Sequence, residues 1–439
     1  MKLAVIADDL TGANDTGVQF AKQGLNTTVL FSDTKLKEAH VQDDVIVLNS
    51  DSRALEAEEA YRIVHEQASR LQDLHIEDIF KKIDSTMRGN IGAEIDAVMD
   101  VFNYKISFVV PAFPNSKRTT INGNHYIDDV PLAETEFAND PASPVKESYL
   151  PDLLQKQSKR KVELLSISDV RKGSDYIAKK VNELLSDEHS KVIVFDGTSD
   201  EELKMIVEAA QSIHESILWV GSAGIAYHLA GEGQTSEPLQ STQVNERDPV
   251  LVVAGSLNSI TGRQIEDMKK NHQVQEVVIS PEQFFDEKQR KKEMDQVVEA
   301  GLALLEKGDL VLSTNRTKEA VQRVKELQQE FGLSSFELGH LIAESMAIIA
   351  GRLIEQSDTC GAVLTGGDIA GTTCQVLKGE GIRVTGEVET GIPYGHLVGN
   401  KYDCFPVVTK AGAFGTEQAL SKSLQAIVAL HHSQTNDPT

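Results

Sequence analysis

The sequence predicts an α/β protein made of two α/β domains, each with a mainly parallel sheet flanked by helices, and with a cleft between the domains. Three observations carry this expectation. Short Val- and Ile-rich runs recur between longer amphipathic stretches, the pattern of strands buried on both faces. That alternation stops over a polar stretch and then restarts. The chain has 439 residues, more than one ordinary core accommodates.

In order along the chain, strands are expected over residues 3–7, 45–48, 107–110, 192–195 and 217–220, with helices over 13–23, 54–74 and 92–102. Residues 116–158 break the rhythm with Pro131, Pro141, Pro144 and Pro151, so they read as loops and short hairpins inserted into the first domain. GEGQTSEPLQSTQVNERD has no apolar periodicity and suits a linker. The boundaries drawn are 1–235 for the first domain, 236–248 for the linker, 249–430 for the second domain and 431–439 for a frayed tail. In the second half, strands are expected over 249–254, 309–313, 361–364 and 405–409, with helices over 282–306 and 335–355.

Forty per cent hydrophobic and 25% charged residues fit a folded enzyme. A net charge of -24, from 67 acidic and 43 basic residues, disfavours nucleic acid and anionic membranes as partners. The basic cluster at 156–161 reads as solvated surface. Cys360, Cys374 and Cys404 form no metal-type spacing and read as small buried hydrophobes in a reducing compartment. No signal sequence and no run of roughly 20 apolar residues is evident, so a cytoplasmic location is expected.

In α/β sheets ligands sit beyond the carboxyl ends of strands, which directs attention to the loops there. ADDLTGAND follows the first strand, and its paired carboxylates could bind polyol hydroxyls or supply a base; equally, Asp8 or Thr11 could cap the helix. Lys81 to Asn90, KKIDSTMRGN, crowds cations, an acid and hydroxyls at another strand end, a mixture able to clamp a carboxylate; the structural alternative leaves Lys81 in solvent. Arg53, after a third strand, has a fork suited to a carboxylate. The second half offers glycine instead of charge: Gly255 and Ser256, Gly366-Gly367-Asp368, and the loop from Lys410 through Gly412 to Gly415. Together these three loops suggest a phosphate cradle. P-loop, dinucleotide, zincin and hydrolase motifs are absent from the sequence. His396 reads as a surface or loop histidine rather than a ligand.

IADDLTGANDTG, KKIDSTMRGNIGAE, LTGGDIAG and KAGAFG, in this order, resemble the four-carbon acid sugar kinase family over nearly the whole chain. The resemblance implies a substrate-binding first domain and a nucleotide-binding second domain, with ATP, as its magnesium complex, phosphorylating the terminal hydroxyl of a tetronate. It places the acid sugar at Asp9, Arg53, Lys82, Ile83, Asp84 and Ser85, and ATP at Ser256, Gly366, Gly367, Asp368 and Gly412. Asp9 is the first choice to orient or deprotonate the hydroxyl and Asp84 the second. Asp368 could position magnesium or cap its helix; no metal ligand is assigned. LTGANDTGVQFAK looks most like the threonate branch, with D-erythronate and 3-oxo-tetronate kinases as alternatives and a non-catalytic sugar-acid sensor as a reading from another class. The partners implied are the two small molecules, and a homodimer stays open.

Overall fold

The computed structural model describes residues 2–32, 34–140, 143–186, 189–231, 248–255, 259–412 and 414–435. The chain forms two compact units, Met1–Ser236 and Glu237–Thr439.

In the first unit the strands are β1 Leu3–Ala7, β2 Thr27–Leu30, β3 Val45–Asn49, β4 Asp78–Lys82, β5 Ile106–Val110, β6 Arg118–Ile121, β7 Asn124–Ile127, β8 Val130–Pro131, β9 Lys161–Leu165, β10 Lys191–Phe195 and β11 Ile217–Gly221. The main sheet of this unit runs β2-β3-β1-β4-β11-β5-β10-β9, and every pairing in it is parallel. β1, β3, β5 and β10 are buried along their whole length, hence their continuous apolar runs. β9, at the edge, keeps polar residues at its start.

The order of connection matters more than the count. β1 lies between β3 and β4: the chain goes out to β2, returns to β3 beside β1, and then crosses to β4 on the other side. Ala7 pairs with Asn49 on one side and Lys82 on the other, which brings Asp8, Ser50 and Ile83 out of the sheet at one level. This is the switch point at which such sheets bind ligands.

The proline-rich insertion contains the antiparallel sheet β6-β7-β8 and helix Leu150–Gln157. Asp196, fully buried at the end of β10, anchors it by accepting the backbone N–H groups of Gly123 (2.9 Å), Ile167 (2.7 Å) and Asn122. The basic cluster is not plain surface. Arg160 turns inward, 9% exposed, onto Asp96 and Asp100 at 2.6 Å each.

The second unit has β12 Val250–Ala254, β13 Gln275–Ile279, β14 Leu310–Thr314, β15 Gly361–Thr365, β16 Gly381–Glu387, β17 Pro393–Val398 and β18 Pro406–Lys410. Its order is β13-β14-β12-β15-β18 in parallel, followed by β17 and β16, which pair antiparallel. β12 takes the place that β1 has in the first unit, so Gly255 and Gly366 leave neighbouring strands side by side. His396 lies on β17 opposite Arg383 and Pro406, not in a loop, and burial pushes its imidazole below the usual histidine range. Cys360 and Cys374 are buried, but Cys404 is exposed. The final helix, Ala419–Thr435, continues past His431, where fraying is expected from sequence. Residues 232–247 lie outside the described residues; Asp248 belongs with the second unit, its carbonyl accepting from the Cys360 thiol.

Asp196→Ala leaves three backbone donors without their carboxylate, and a loss of about 3 kcal/mol is expected, seen as a lower urea midpoint at unchanged slope.

Candidate functional site

At the first switch point two adjacent carboxylates share one guanidinium. Arg53 donates from Nε (2.7 Å) and NH2 (3.0 Å) to Asp8, and from NH1 and NH2 (2.7 Å each) to Asp9. Four of these contacts against five N–H groups leave little of the fork for a ligand. Arg53 therefore organises the acid pair, where sequence suggested a clamp on a substrate carboxylate.

The two acids differ. Asp8 has 3% of its side chain exposed and Asp9 24%, so Asp9 is the one within reach. Burial alone would raise the Asp8 carboxyl, yet Arg53, Lys81 and Lys82 together hold it below the usual range. Burial, reinforced by the charge on Asp8, pushes Asp9 up against the pull of Arg53. Neighbouring acids driven apart in this way can divide the work of fixed counter-charge and proton acceptor. Asp9 also caps helix Leu10–Lys22, accepting from Gly12 N–H at 2.8 Å, so neither Asp8 nor Thr11 is the cap.

Beneath the pair lies a closed polar network. Lys81, with no exposure, meets Glu94 Oε2 at 2.7 Å and donates to the carbonyls of Ile6 and Lys82. Ser52 donates to Glu94 Oε1, and Ser50 joins Ser52 to the Ala7 carbonyl. Lys81 is thus structural rather than solvated, tying β1, β4, the loop after β3 and helix Ile91–Phe102 together.

Lys82 points the other way. Only 4% exposed, its ammonium donates to the Ile83 carbonyl at 2.9 Å and makes no ion pair among the described residues. A Cβ on Gly12 would fall 2.7 Å from Asp9 Oδ1 and 2.8 Å from Lys82 Nζ, so both groups converge over a glycine that leaves room for them. Ile83 is buried and contributes backbone, its N–H bound to Gly221 O. Asp84 accepts from Thr86 and Arg88 and is held far below the usual carboxyl range: burial would raise it, but Arg53 and Arg88 prevail. That makes Asp84 a fixed charge and a poor base. Arg88 continues to Asp140 of the insertion at 3.1 Å.

Ser85 is set by His125, a residue that carries no signal in the sequence. His125 has no exposure; its Nε2 donates to the Ser85 carbonyl at 2.9 Å, leaving Nδ1 to accept from Thr120. Burial pushes it down to about 4. A cavity of about 360 Å³ opens beside Arg53 and Gly89 under Ser143 and Lys146, but Asp9, Lys82 and Asp84 do not line it.

In the second unit Gly366 has φ 111°, a conformation suited to glycine, and starts helix Gly367–Val376 with its N–H on Lys410 O. Gly367 and Asp368 are exposed in the first turn, and no side chain caps this helix, so Asp368 is not a cap. The Gly412 carbonyl accepts from Thr261 at 2.7 Å and from Lys410 Nζ at 3.0 Å. Lys410, also bound to the carbonyls of Ala411 and Phe414, staples its own loop, and burial pushes it down to about 8. Ser256 lies outside the described residues.

Glu94, Arg88 and Lys410 all fall within the four family-like motifs of the sequence. Glu94→Gln, which strands the Lys81 ammonium, is expected to cost about 3–5 kcal/mol in urea unfolding. Lys81→Met should cost less, because Glu94, already pushed up by burial, can take a proton. For His125 the folded group titrates below the unfolded one, so stability falls as pH drops from about 6.5 and levels near 4. The wild type minus His125→Gln difference in unfolding free energy should shrink by about 3 kcal/mol over that window, and a flat difference would refute the assignment.

Residues 3–229 match a family described as a sugar-binding N-terminal domain, and residues 251–420 one described as a nucleotide-binding C-terminal domain. A D-threonate kinase of Salmonella typhimurium is 36% identical over 98% of this chain and 99% of its own. A D-erythronate kinase of Heliobacterium modesticaldum is 31% identical over 95% of each chain, and a 3-oxo-tetronate kinase of Haemophilus influenzae 26% identical over 94% of this chain and 97% of its own. Among solved structures, a Haemophilus influenzae protein aligns with TM-score 0.77 at 24% identity, covering 96% of this chain and 98% of that one, a likeness of fold. Two domain matches that fall within the two compact units, together with full-length relatives at 31% and 36% identity, show that the chain belongs to the four-carbon acid sugar kinase family.

Proposed function

We propose that the protein is an ATP-dependent kinase that phosphorylates the 4-hydroxyl of D-threonate. The observation that carries this reading is the convergence of Asp9 and Lys82 over Gly12: an accessible carboxylate beside a buried ammonium that makes no ion pair among the described residues. The ammonium supplies local positive charge for a sugar acid in a protein of net charge -24. Asp9, raised by burial and steered by Arg53, accepts the hydroxyl proton as the oxygen bonds to the γ-phosphorus and the bond to the ADP oxygen breaks. Arg53 acts through Asp8 and Asp9, and Asp84 holds Arg88 and the loop through Ser85. The threonate preference rests on the D-threonate kinase relative, at 36% identity.

ATP is assigned to the loops of Gly366, Gly367, Asp368 and Gly412, together with Ser256. If magnesium accompanies ATP, it would supply charge neutralisation at the phosphates, with Asp368 as the residue that would help hold it. Among the described residues no group of three or more His, Cys, Asp or Glu side chains forms a ready cage, a donor set that suits an ion bound mainly through phosphate oxygens, with exposed Asp368 as the carboxylate at hand.

A phosphotransfer screen with D-threonate, D-erythronate and 3-oxo-tetronate, product read by mass, is expected to favour D-threonate by at least about tenfold in kcat/KM. A preference for either competitor overturns the substrate. Asp9→Asn, which keeps a good cap, is expected to lower kcat by about a hundredfold to ten-thousandfold with the sugar acid bound. Near wild-type turnover would remove Asp9 from proton transfer.

A further inference from the structure

We infer that Arg316 is a phosphate-binding residue of the nucleotide edge in the second unit, an inference that rests on this unit holding ATP. β14, β12, β15 and β18 are parallel neighbours in this unit, so the loops that follow them emerge along one edge. A triphosphate there needs positive charge. Among the described residues those loops hold two cations that are at least half-buried, Lys410 and Arg316. Lys410 is already committed to three carbonyls of its own loop.

Arg316 is not committed. Its NH1 is buried and has no hydrogen-bond acceptor among the described residues. NH2 has Glu276 at 3.7 Å, but that carboxylate is held closer by Lys269 and Ser313, at 2.7 Å each. A long pair of this kind is weak, and a buried donor left unmade is costly.

The turn that carries Arg316 is nevertheless well fixed. Asn315 N–H donates to Ile279 O, Asn315 Oδ1 accepts from Thr317, and Thr317 caps helix Lys318–Glu330. NH1 reaches toward helix Ser259–Asn271, where a Cβ on Gly262 would lie 3.9 Å away. The preceding residue, Thr261, bonds the Gly412 carbonyl, so Arg316 and the Gly412 loop flank the same helical turn. A guanidinium carried on a fixed turn, with a donor that has no acceptor among the described residues, fits phosphate oxygens, which its planar fork can meet in pairs.

The test compares ATP and adenosine binding by calorimetry in the full chain, wild type against Arg316→Ala. ATP affinity is expected to fall about tenfold to a hundredfold, with adenosine unchanged within about twofold. A purely structural role would weaken both equally, and that result, or undiminished ATP affinity, overturns the inference. If Arg316→Ala melts early, Arg316→Lys carries the same comparison, with an expected loss of about tenfold for ATP alone. Absence of ATP binding in the wild type would instead strike the nucleotide assignment itself.

Discussion

Lys81 and Glu94 meet in a space sealed from water, and the proposed acceptor site is built on top of them. The ammonium takes two carbonyls as well as the carboxylate, one from β1 and one from β4, while Glu94 reaches through Ser52 to the loop after β3. Three strand ends and one helix are thereby held at fixed spacing. A buried pair of this kind contributes little net stability over an apolar filling of the same shape. Its effect is on geometry: it lets Asp8, Ser50 and Ile83 leave their strands at one level.

Charge is handled locally rather than globally. The chain is strongly acidic, yet cations gather at the ends of β3 and β4. Within that group the division of labour is sharp. Lys81 and Arg53 neutralise acids of the protein itself, Arg88 connects Asp84 to the insertion, and Lys82 makes no ion pair among the described residues. The second unit has the same split between Lys410, which closes its own loop, and Arg316, whose buried NH1 has no hydrogen-bond acceptor among the described residues.

Much of this was legible in the sequence. Continuous apolar runs gave the buried strands because a strand covered on both faces has no polar side to show. β2, β4 and β9 were harder: TTVL, DIFKK and KVELL dilute the apolar signal with polar residues, and β16 and β17 pair antiparallel, a relation that no local pattern encodes. The loops at both switch points were visible as charge or glycine after a strand. What each charge does was not. Arg53 looked like a clamp because its partners, Asp8 and Asp9, lie more than forty positions away in the chain. His125 was invisible because its partner is a backbone carbonyl, which every residue has.

Asp9 is at once the start of a helix and the group proposed to receive a proton. A base that has taken a proton must release it before the next turnover. The N-terminal end of helix Leu10–Lys22 and the Arg53 guanidinium both favour the ionised carboxylate, while burial and the charge on Asp8 favour the neutral acid. In the proposed reaction these opposing pulls make proton uptake self-limiting. The neutral acid has weakened its own cap and its own ion pair, and the fold itself drives the residue back to its starting charge.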